Sequence, residues 1–513
     1  MINILDMLEK AAEKYGEKTA YSDPDNKISF KDLEIKAKKT ASRLLENPDI
    51  NVFEPESAAV FYMEKSVDAL TVMFAAMYLG SFYSFIDIRQ TKNRAESIIN
   101  VLEPAYIITD EANRDALYTF DIDNKFKERI FDIHKLLRDA ENAVINEDAL
   151  LKLRTGFYDK MPLYVNFTSG STGVPKGVAV GHASVIEFIR EFTGVFDITS
   201  DDVIANQAPF DFDVSVKDIY SGLYTGAGTV LIPREYFSNP SVLMGYLTDN
   251  KVTTLIWAVS AMCFVSIMNG LEYKTPKTIR KVMFSGELMP VKQLNKWKKF
   301  LPDAMYVNLY GPTEITCNCT YHILDREYEK DEVIPIGIPF RNEKVFLLDE
   351  NDREIKKAGI EGEICVSGSC LALGYYREPD KTAEVFVQNP LNSRFSEQIY
   401  RTGDLGKYDE SGLLYYTSRK DFQIKHMGQR IELSDIDVSA MSIDGVSRAL
   451  SIYDHKRKKI ILFYTGETDK EMLSESLHKK LPPFMLPSKT IKLDEFPLNK
   501  NGKIDRKALE GSI

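Results

Sequence analysis

The sequence predicts an α/β fold, with a large N-terminal core of α/β layers, a β-rich subdomain, and then a small α+β domain. Three observations lead there. At 513 residues and 44% hydrophobic content, the chain is too long for one interior, because single cores stop growing near ~250–300 residues. Over the first ~415 residues, apolar β-branched runs alternate with segments of helical period, the pattern of α/β layers. Roughly the last hundred residues carry two short strand patterns and one helical pattern, enough for a small separate domain.

Taken in order, residues 58–62 are a continuous apolar run, the signature of a strand buried on both faces, and 67–78 follow with helical character. Apolar residues at 163–165 and 178–180 frame a Gly/Ser-rich loop and read as strands. Residues 229–232 give a further strand and 242–247 a helical stretch. Strands near 364–366 and 413–416, separated by glycine turns, form the β-rich subdomain. A boundary falls at Arg419-Lys420-Asp421, dividing the chain into 1–419 and 420–513. Beyond it, 449–453 and 460–464 read as strands, and 472–481 as a helix ended by Pro482-Pro483. There is no internal repeat and no low-complexity tract.

Sixty-five Lys and Arg residues against 76 Asp and Glu leave a net charge of −11, which argues against nucleic acid or an anionic membrane as partner. Lys456-Arg457-Lys458-Lys459 reads as a solvated face. The five cysteines, at 263, 317, 319, 365 and 370, lie in apolar or strand-like contexts without metal-ligand spacing, so reduced thiols are expected. Cys317-Asn318-Cys319 lacks the companion pair that a four-ligand zinc site needs. The N-terminus has no basic region followed by an apolar run, and no apolar stretch reaches ~18 residues, so neither a signal peptide nor membrane insertion is expected. A cytoplasmic location is expected.

The chemistry is carried first by the run from Asn166 to Gly177. Gly170, Gly173 and Gly177 let the backbone approach a ligand closely, Thr168, Ser169, Ser171 and Thr172 supply hydroxyl donors, and Lys176 supplies a positive charge for phosphate oxygens. The usual nucleotide P-loop needs glycine directly before its lysine; Pro175 stands there instead and removes a backbone donor.

This run resembles the signature of the adenylate-forming superfamily, which includes acyl- and aryl-CoA synthetases, luciferases and the adenylation domains of nonribosomal peptide synthetases. The resemblance extends in order along nearly the whole chain, through Phe212-Asp213-Val214-Ser215-Val216, Tyr310-Gly311-Pro312-Thr313-Glu314, Gly362-Glu363-Ile364, Tyr400-Arg401-Thr402-Gly403-Asp404, the segment from Gln423-Ile424-Lys425 to Gly428-Gln429-Arg430-Ile431-Glu432, and Asn501-Gly502-Lys503-Ile504-Asp505-Arg506. It departs at 86–90 (Ile-Asp-Ile-Arg-Gln), where the family has prolines, and at Ser418, where it has glycine.

The resemblance implies a reaction in two halves with ATP and Mg2+ as cofactors: a carboxylate is converted to an acyl-adenylate with loss of pyrophosphate, and a thiol then takes the acyl group and releases AMP. By the same match, Lys176 and the hydroxyl loop hold the triphosphate, with Thr168 and Thr313 near phosphate oxygens, and Glu314 holds the metal. Tyr310 meets adenine, Gly311 belongs to the nucleotide-binding set, Asp404 meets the ribose hydroxyls, and Arg419 ribose and phosphate. Lys503 bridges substrate carboxylate and phosphate in the first half; as a compact mobile charge it can follow charge developing between two oxygens. Asp421 is the hinge about which a mobile C-terminal domain turns, and Gly428 and Lys425 lie where the thiol arm enters.

Asp213 matches the aspartate that pairs with the α-ammonium of an amino acid, and a buried carboxylate without a cation is costly, so a zwitterionic substrate is expected. The matching pocket is Asp213, Val214, Lys217, Ala258, Met283, Ser285, Leu309, Cys317 and Asn318. It is mixed in character. Several segments look most like D-alanine:carrier-protein ligases, although Ser285 stands where those have cysteine. A small amino acid (D-alanine, alanine or serine-like) is therefore the first expectation and an acidic one, paired with Lys217, the second. An aryl- or fatty-acyl-CoA ligase is opposed by Asp213, and a non-catalytic nucleotide-binding module by the joint presence of Lys176, Glu314, Asp404 and Lys503. The chain starts on the adenylating core and stops eight residues after Asp505, so a free-standing ligase loading a separate phosphopantetheinylated carrier protein is expected.

Overall fold

Apolar runs followed by helices become parallel strands, because a strand that returns to the same edge of a sheet through a crossover helix must run in the same direction. The computed structural model describes residues 1–47, 57–168, 175–329, 332–420, 423–497, 504 and 506–513. By compactness the chain divides into two units: Met1–Ile88 with Ile99–Asn166 and Gly177–Lys420, and Arg89–Ile98 with Phe167–Lys176 and Asp421–Ile513.

In the first unit, five strands lie side by side and parallel, in the order Gly228–Leu231, Val203–Asn206, Thr254–Ala258, Lys281–Ser285, Met305–Tyr310. Thr254–Ala258 and Lys281–Ser285 are buried at every residue, and each carries at least three successive apolar residues. Trp257 and Trp297 cross edge to face at 6.3 Å in the core beside these strands. Their indole N–H groups donate to the Ala205 and Met262 carbonyls at 3.0 Å, so neither polar handle is stranded by burial.

A second sheet holds Ala58–Tyr62 between Phe82–Ile86 and Tyr106–Thr109, all parallel. The helix Val67–Tyr78 leaves the first of these strands under a Ser66 cap, whose hydroxyl accepts from the Ala69 amide at 3.0 Å. It is buried almost all round, as its apolar sequence requires. The β-rich subdomain is antiparallel, with Glu361–Gly368 between Glu343–Leu348 and Gln398–Tyr408. The strand expected at 413–416 runs as Leu414–Arg419, and its extension pairs Arg419 with Asp404.

In the second unit, Val446–Asp454 and Lys459–Gly466 pair antiparallel, and Lys489–Lys492 adds parallel to the latter. The helices Leu433–Met441 and Lys470–Lys480 bury Ile436, Leu473 and Leu477 with Leu462 and Tyr464 of the sheet. The second helix begins before the expected 472 because Asp469 caps it, accepting from Met472 N at 2.7 Å. Among the described residues no helix is long and apolar enough to cross a membrane.

Glu343 is a buried acid in the β-rich subdomain, with Oε1 accepting from the Cys370 amide at 2.9 Å. Burial pushes its carboxyl up to about 7, against the Cys370 hydrogen bonds. The folded value lies above the unfolded one near 4.5, so the linked stability is full below that pH and is lost as pH rises through about 7. Replacing Glu343→Gln should flatten this slope. The urea midpoint of the wild type should fall from pH 5 to pH 8 by more than that of the variant; equal slopes would show that Glu343 does not titrate there.

Candidate active site

In an open parallel sheet, ligands bind beyond the carboxyl ends of the strands, where crossovers leaving neighbouring strands diverge. Asn206, Ala258, Ser285 and Tyr310 are the last residues of four such strands. From Asn206 the chain crosses to the strand on one side, and from Ala258 to the strand on the other, so a crevice opens between these two ends. Register sets Ala258 beside Ser285 and Ser285 beside Leu309. Met283, two residues before Ser285, shares its face of the sheet.

The opposite wall is the start of the helix Val214–Thr225. Asp213 opens it, only 7% exposed, with Val214 buried beside it, and Lys217 follows one turn later, fully buried. Lys217 Nζ donates to Asn318 Oδ1 at 2.7 Å, and the Cys317 thiol donates to the Asp213 carbonyl at 3.1 Å. Burial and then the charge of Asp213 push the Cys317 thiol up, so it remains a protonated donor. Burial lowers Lys217, opposed by Cys317, Asp213 and Asp218. Of the nine residues expected to line a pocket, register brings Ala258, Ser285 and Leu309 side by side, and hydrogen bonds join Lys217 to Asn318 and Cys317 to Asp213.

Cys317 and Asn318 are held by a tight return of the chain after Tyr310. The Cys319 amide donates to the Tyr310 carbonyl at 2.8 Å, and Thr316 and Cys317 both adopt left-handed backbone, at φ 53° and 75°. Gly311 lies directly beneath. A Cβ there would stand 2.5 Å from Asn318 Cα, 2.8 Å from Cys317 O and 2.9 Å from Cys319 N, all backbone atoms that cannot swing aside.

Of the residues expected to meet nucleotide, Tyr310, Asp404 and Arg419 are joined by hydrogen bonds. Asp404, 2% exposed, accepts from Tyr310 Oη at 2.6 Å on one oxygen and from Arg419 Nη1 at 2.6 Å on the other. Burial and the Asp404 charge hold the Tyr310 phenol up as a donor. Glu314, fully buried in the turn Thr313–Ile315, accepts from Tyr375 Oη at 2.8 Å, and its carbonyl accepts from the Ala372 amide at 2.9 Å. Glu363 steadies the segment carrying Asp404, accepting from Arg401 Nε at 2.9 Å, Lys420 Nζ at 2.9 Å and the Gly403 amide at 3.2 Å.

In the second unit, Thr168 closes the strand Pro162–Thr168 and Lys176 opens Lys176–Gly181. The Thr168 hydroxyl is buried without a hydrogen-bond partner among the described residues, which fits a group bringing phosphate oxygens. Lys425 lies in the hairpin Gln423–His426/Gln429–Glu432, whose turn places Met427 and Gly428 at φ 53° and 79°. Ser169, Gly170, Ser171, Thr172, Gly173, Asp421 and Lys503 lie outside the described residues. Among those described, no three His, Cys, Asp or Glu side chains cluster to cage a metal. The lone carboxylate of Glu314 fits magnesium, which is commonly bound through one or two carboxylates with substrate phosphates and water.

Residues 8–376 match the AMP-binding enzyme family. The chain is 31% identical over 511 residues to surfactin synthase subunit 1 of Bacillus subtilis (strain 168), covering 99% of this chain and 14% of that protein. It is 30% identical over 493 residues to zwittermicin A synthase ZmaJ of Bacillus cereus, covering 94% and 90%. The chain spans less than half the length of several curated relatives it matches. The solved structure of holo-PA1221, a nonribosomal peptide synthetase protein containing adenylation and PCP domains bound to a vinylsulfonamide inhibitor, shares the fold at a TM-score of 0.84 and 22% identity, covering 100% of this chain and 84% of that one. The chain belongs to the AMP-binding enzyme family, within the adenylate-forming superfamily.

Sequence reasoning did not find Tyr375 on Glu314 or Glu363 beneath Gly403. Each joins segments far apart in the chain, and neither residue type signals its partner. For Gly311→Ala, the backbone clash should displace Asn318 and release Lys217. We expect amino-acid-dependent pyrophosphate exchange to fall about a hundredfold, the scale of a ~1 Å misplacement, and an alanine variant with wild-type exchange would show that the loop yields.

Proposed function

We propose that the chain activates a small amino acid (D-alanine, alanine or serine in class) as an aminoacyl-adenylate and transfers it to the phosphopantetheine thiol of a separate carrier protein. The observation that carries this reading is the pocket at the strand ends. Asp213 offers a nearly buried carboxylate for an α-ammonium, Ser285 and Leu309 stand side by side at the strand ends, and Lys217 is tied back to Asn318. A lysine cannot be desolvated against a methyl group, and the Asn318 amide gives its ammonium somewhere else to go. The adenylation and PCP domains of the protein with the similar fold support a carrier as acceptor.

The substrate carboxylate is already ionised, so no general base is needed. One of its oxygens bonds to the α-phosphorus of ATP as the α–β bridging bond breaks and pyrophosphate leaves. Thr168, Lys176 and the loop between them hold the phosphates, Asp404 and Arg419 hold the ribose, and Lys503 follows the charge passing between carboxylate and phosphate. Magnesium held by Glu314 would neutralise triphosphate charge. In the second half a thiolate attacks the acyl carbon and AMP departs, the thiol arm entering beside Gly428 and Lys425 after rotation about Asp421.

A second reading, an acidic amino acid, is favoured by one observation: the fully buried Lys217 ammonium makes its hydrogen bond to a neutral amide. Pyrophosphate exchange across proteinogenic and D-amino acids, with aryl and fatty acids alongside, separates these readings from a CoA ligase. In that assay Asp213→Ala should cost amino-acid binding about 3–5 kcal/mol, as for a buried pair losing one partner, with ATP binding retained. Unchanged activation by that variant would mean that Asp213 does not meet the ammonium. For a small substrate, Lys217→Met should change kcat/KM less than about tenfold. A loss of about a hundredfold confined to aspartate or glutamate would install the acidic reading.

A further inference from the structure

Lys65 lies in the link between the strand Ala58–Tyr62 and the helix Val67–Tyr78, far from every sequence motif of the site. Its ammonium meets four oxygens. They are the backbone carbonyls of Asn206 (3.0 Å), Gln207 (2.9 Å) and Ala208 (3.3 Å) and the side-chain oxygen of Asn206 (2.8 Å). Three successive carbonyls turned toward one cation mean that the chain leaving the strand Val203–Asn206 is wrapped around that charge. The wrapped residues reach both walls of the crevice. Asn206 Nδ2 donates to Asp218 Oδ2 at 2.7 Å, on the helix that carries Asp213 and Lys217, and Gln207 Oε1 accepts from the Ala258 amide at 3.3 Å.

We propose that Lys65 is a positioning residue for recognition of the carboxylic-acid substrate: by gathering the carbonyls of 206–208 it fixes the distance between the helix bearing Asp213 and Lys217 and the strand end at Ala258. This rests on the amino-acid pocket proposed above. Asp218 and Asn206 are fully buried, so the Asn206 amide is oriented by Asp218 on one side and by Lys65 on the other. A neutral side chain at 65 would leave the Gln207 and Ala208 carbonyls without this donor, while the Asn206 carbonyl would keep the Ile232 amide, and the segment would have to unwind to reach water. Ammonium suits the place because its three donors can serve oxygens that lie around it, not in one plane.

The test is pyrophosphate exchange with Lys65→Met, Lys65→Arg and Gln207→Leu, each checked for folding by its melting temperature. The expected result for Lys65→Met is a KM for the amino acid raised about tenfold or more, the consequence of misplaced pocket walls, with the KM for ATP within about twofold. Lys65→Arg keeps the charge but lays its donors in one plane, so it should restore the amino-acid KM only in part, to a value between those of Lys65→Met and the wild type. Gln207→Leu should raise the amino-acid KM alone. It also decides the matter if Lys65→Met does not fold, since it cuts one strut and leaves the lysine in place. Equal losses for ATP and amino acid, or an unchanged amino-acid KM in a folded Lys65→Met or in Gln207→Leu, would overturn the proposal. If exchange responds to an aryl or fatty acid instead, the amino-acid reading fails while the same KM split, read with that acid, still tests Lys65. Exchange with no acid at all would overturn both.

Discussion

Parallel strands can be joined only by crossovers, and on that constraint the site depends. Each return starts the next strand from the same end of the sheet, so Asn206, Ala258, Ser285 and Tyr310 finish side by side although more than a hundred residues separate the first from the last. Beyond those ends the chain leaves the parallel ladder, and the segments that leave must satisfy their backbone groups otherwise. One does so on Lys65, another through the return of Cys319 onto Tyr310. The same necessity that finishes the sheet thus builds the walls of the pocket.

Asp213, Lys217 and Asp218 lie within the first turns of a single helix and are all nearly or fully buried. Taking charges out of water costs several kcal/mol per ion, and apolar residues of similar volume would commonly be at least as stable. Burial holds Asp218 up and Lys217 down, each partly corrected by the other. Such an arrangement contributes little to holding the fold. In the reading proposed above, its value lies in a fixed pattern of charge that a substrate must match.

The alternation of layers was legible because the buried strands are unbroken apolar runs; 58–62 and 67–78 coincide with the strand and helix found there. The helix expected from 472 begins at Lys470, since the cap at Asp469 decides its start more than the apolar period does. The sheet that unites Thr19–Ser22 with Gly228–Leu231 was not legible, because pairing across two hundred residues leaves no local pattern. The same holds within the site. Asp213, Ser285 and Asn318 stand in recognisable motifs, whereas Lys65 sits 141 residues from Asn206 and reads locally as a polar residue before a helix. Geometry alone joins them.

The backbone at Cys317 has a bearing on how such a pocket could diversify. A left-handed conformation costs a side-chain-bearing residue roughly 1–2 kcal/mol, and a β-branched one more. Two such residues in succession, Thr316 and Cys317, leave that side of the pocket little tolerance for bulk. Ala258 and Ser285 are in extended strand ends, where any L-residue fits the backbone. Selection acting on the volume of the pocket proposed above would meet less resistance at the sheet than at the loop, so drift in substrate preference would be written mainly in the last residues of the strands.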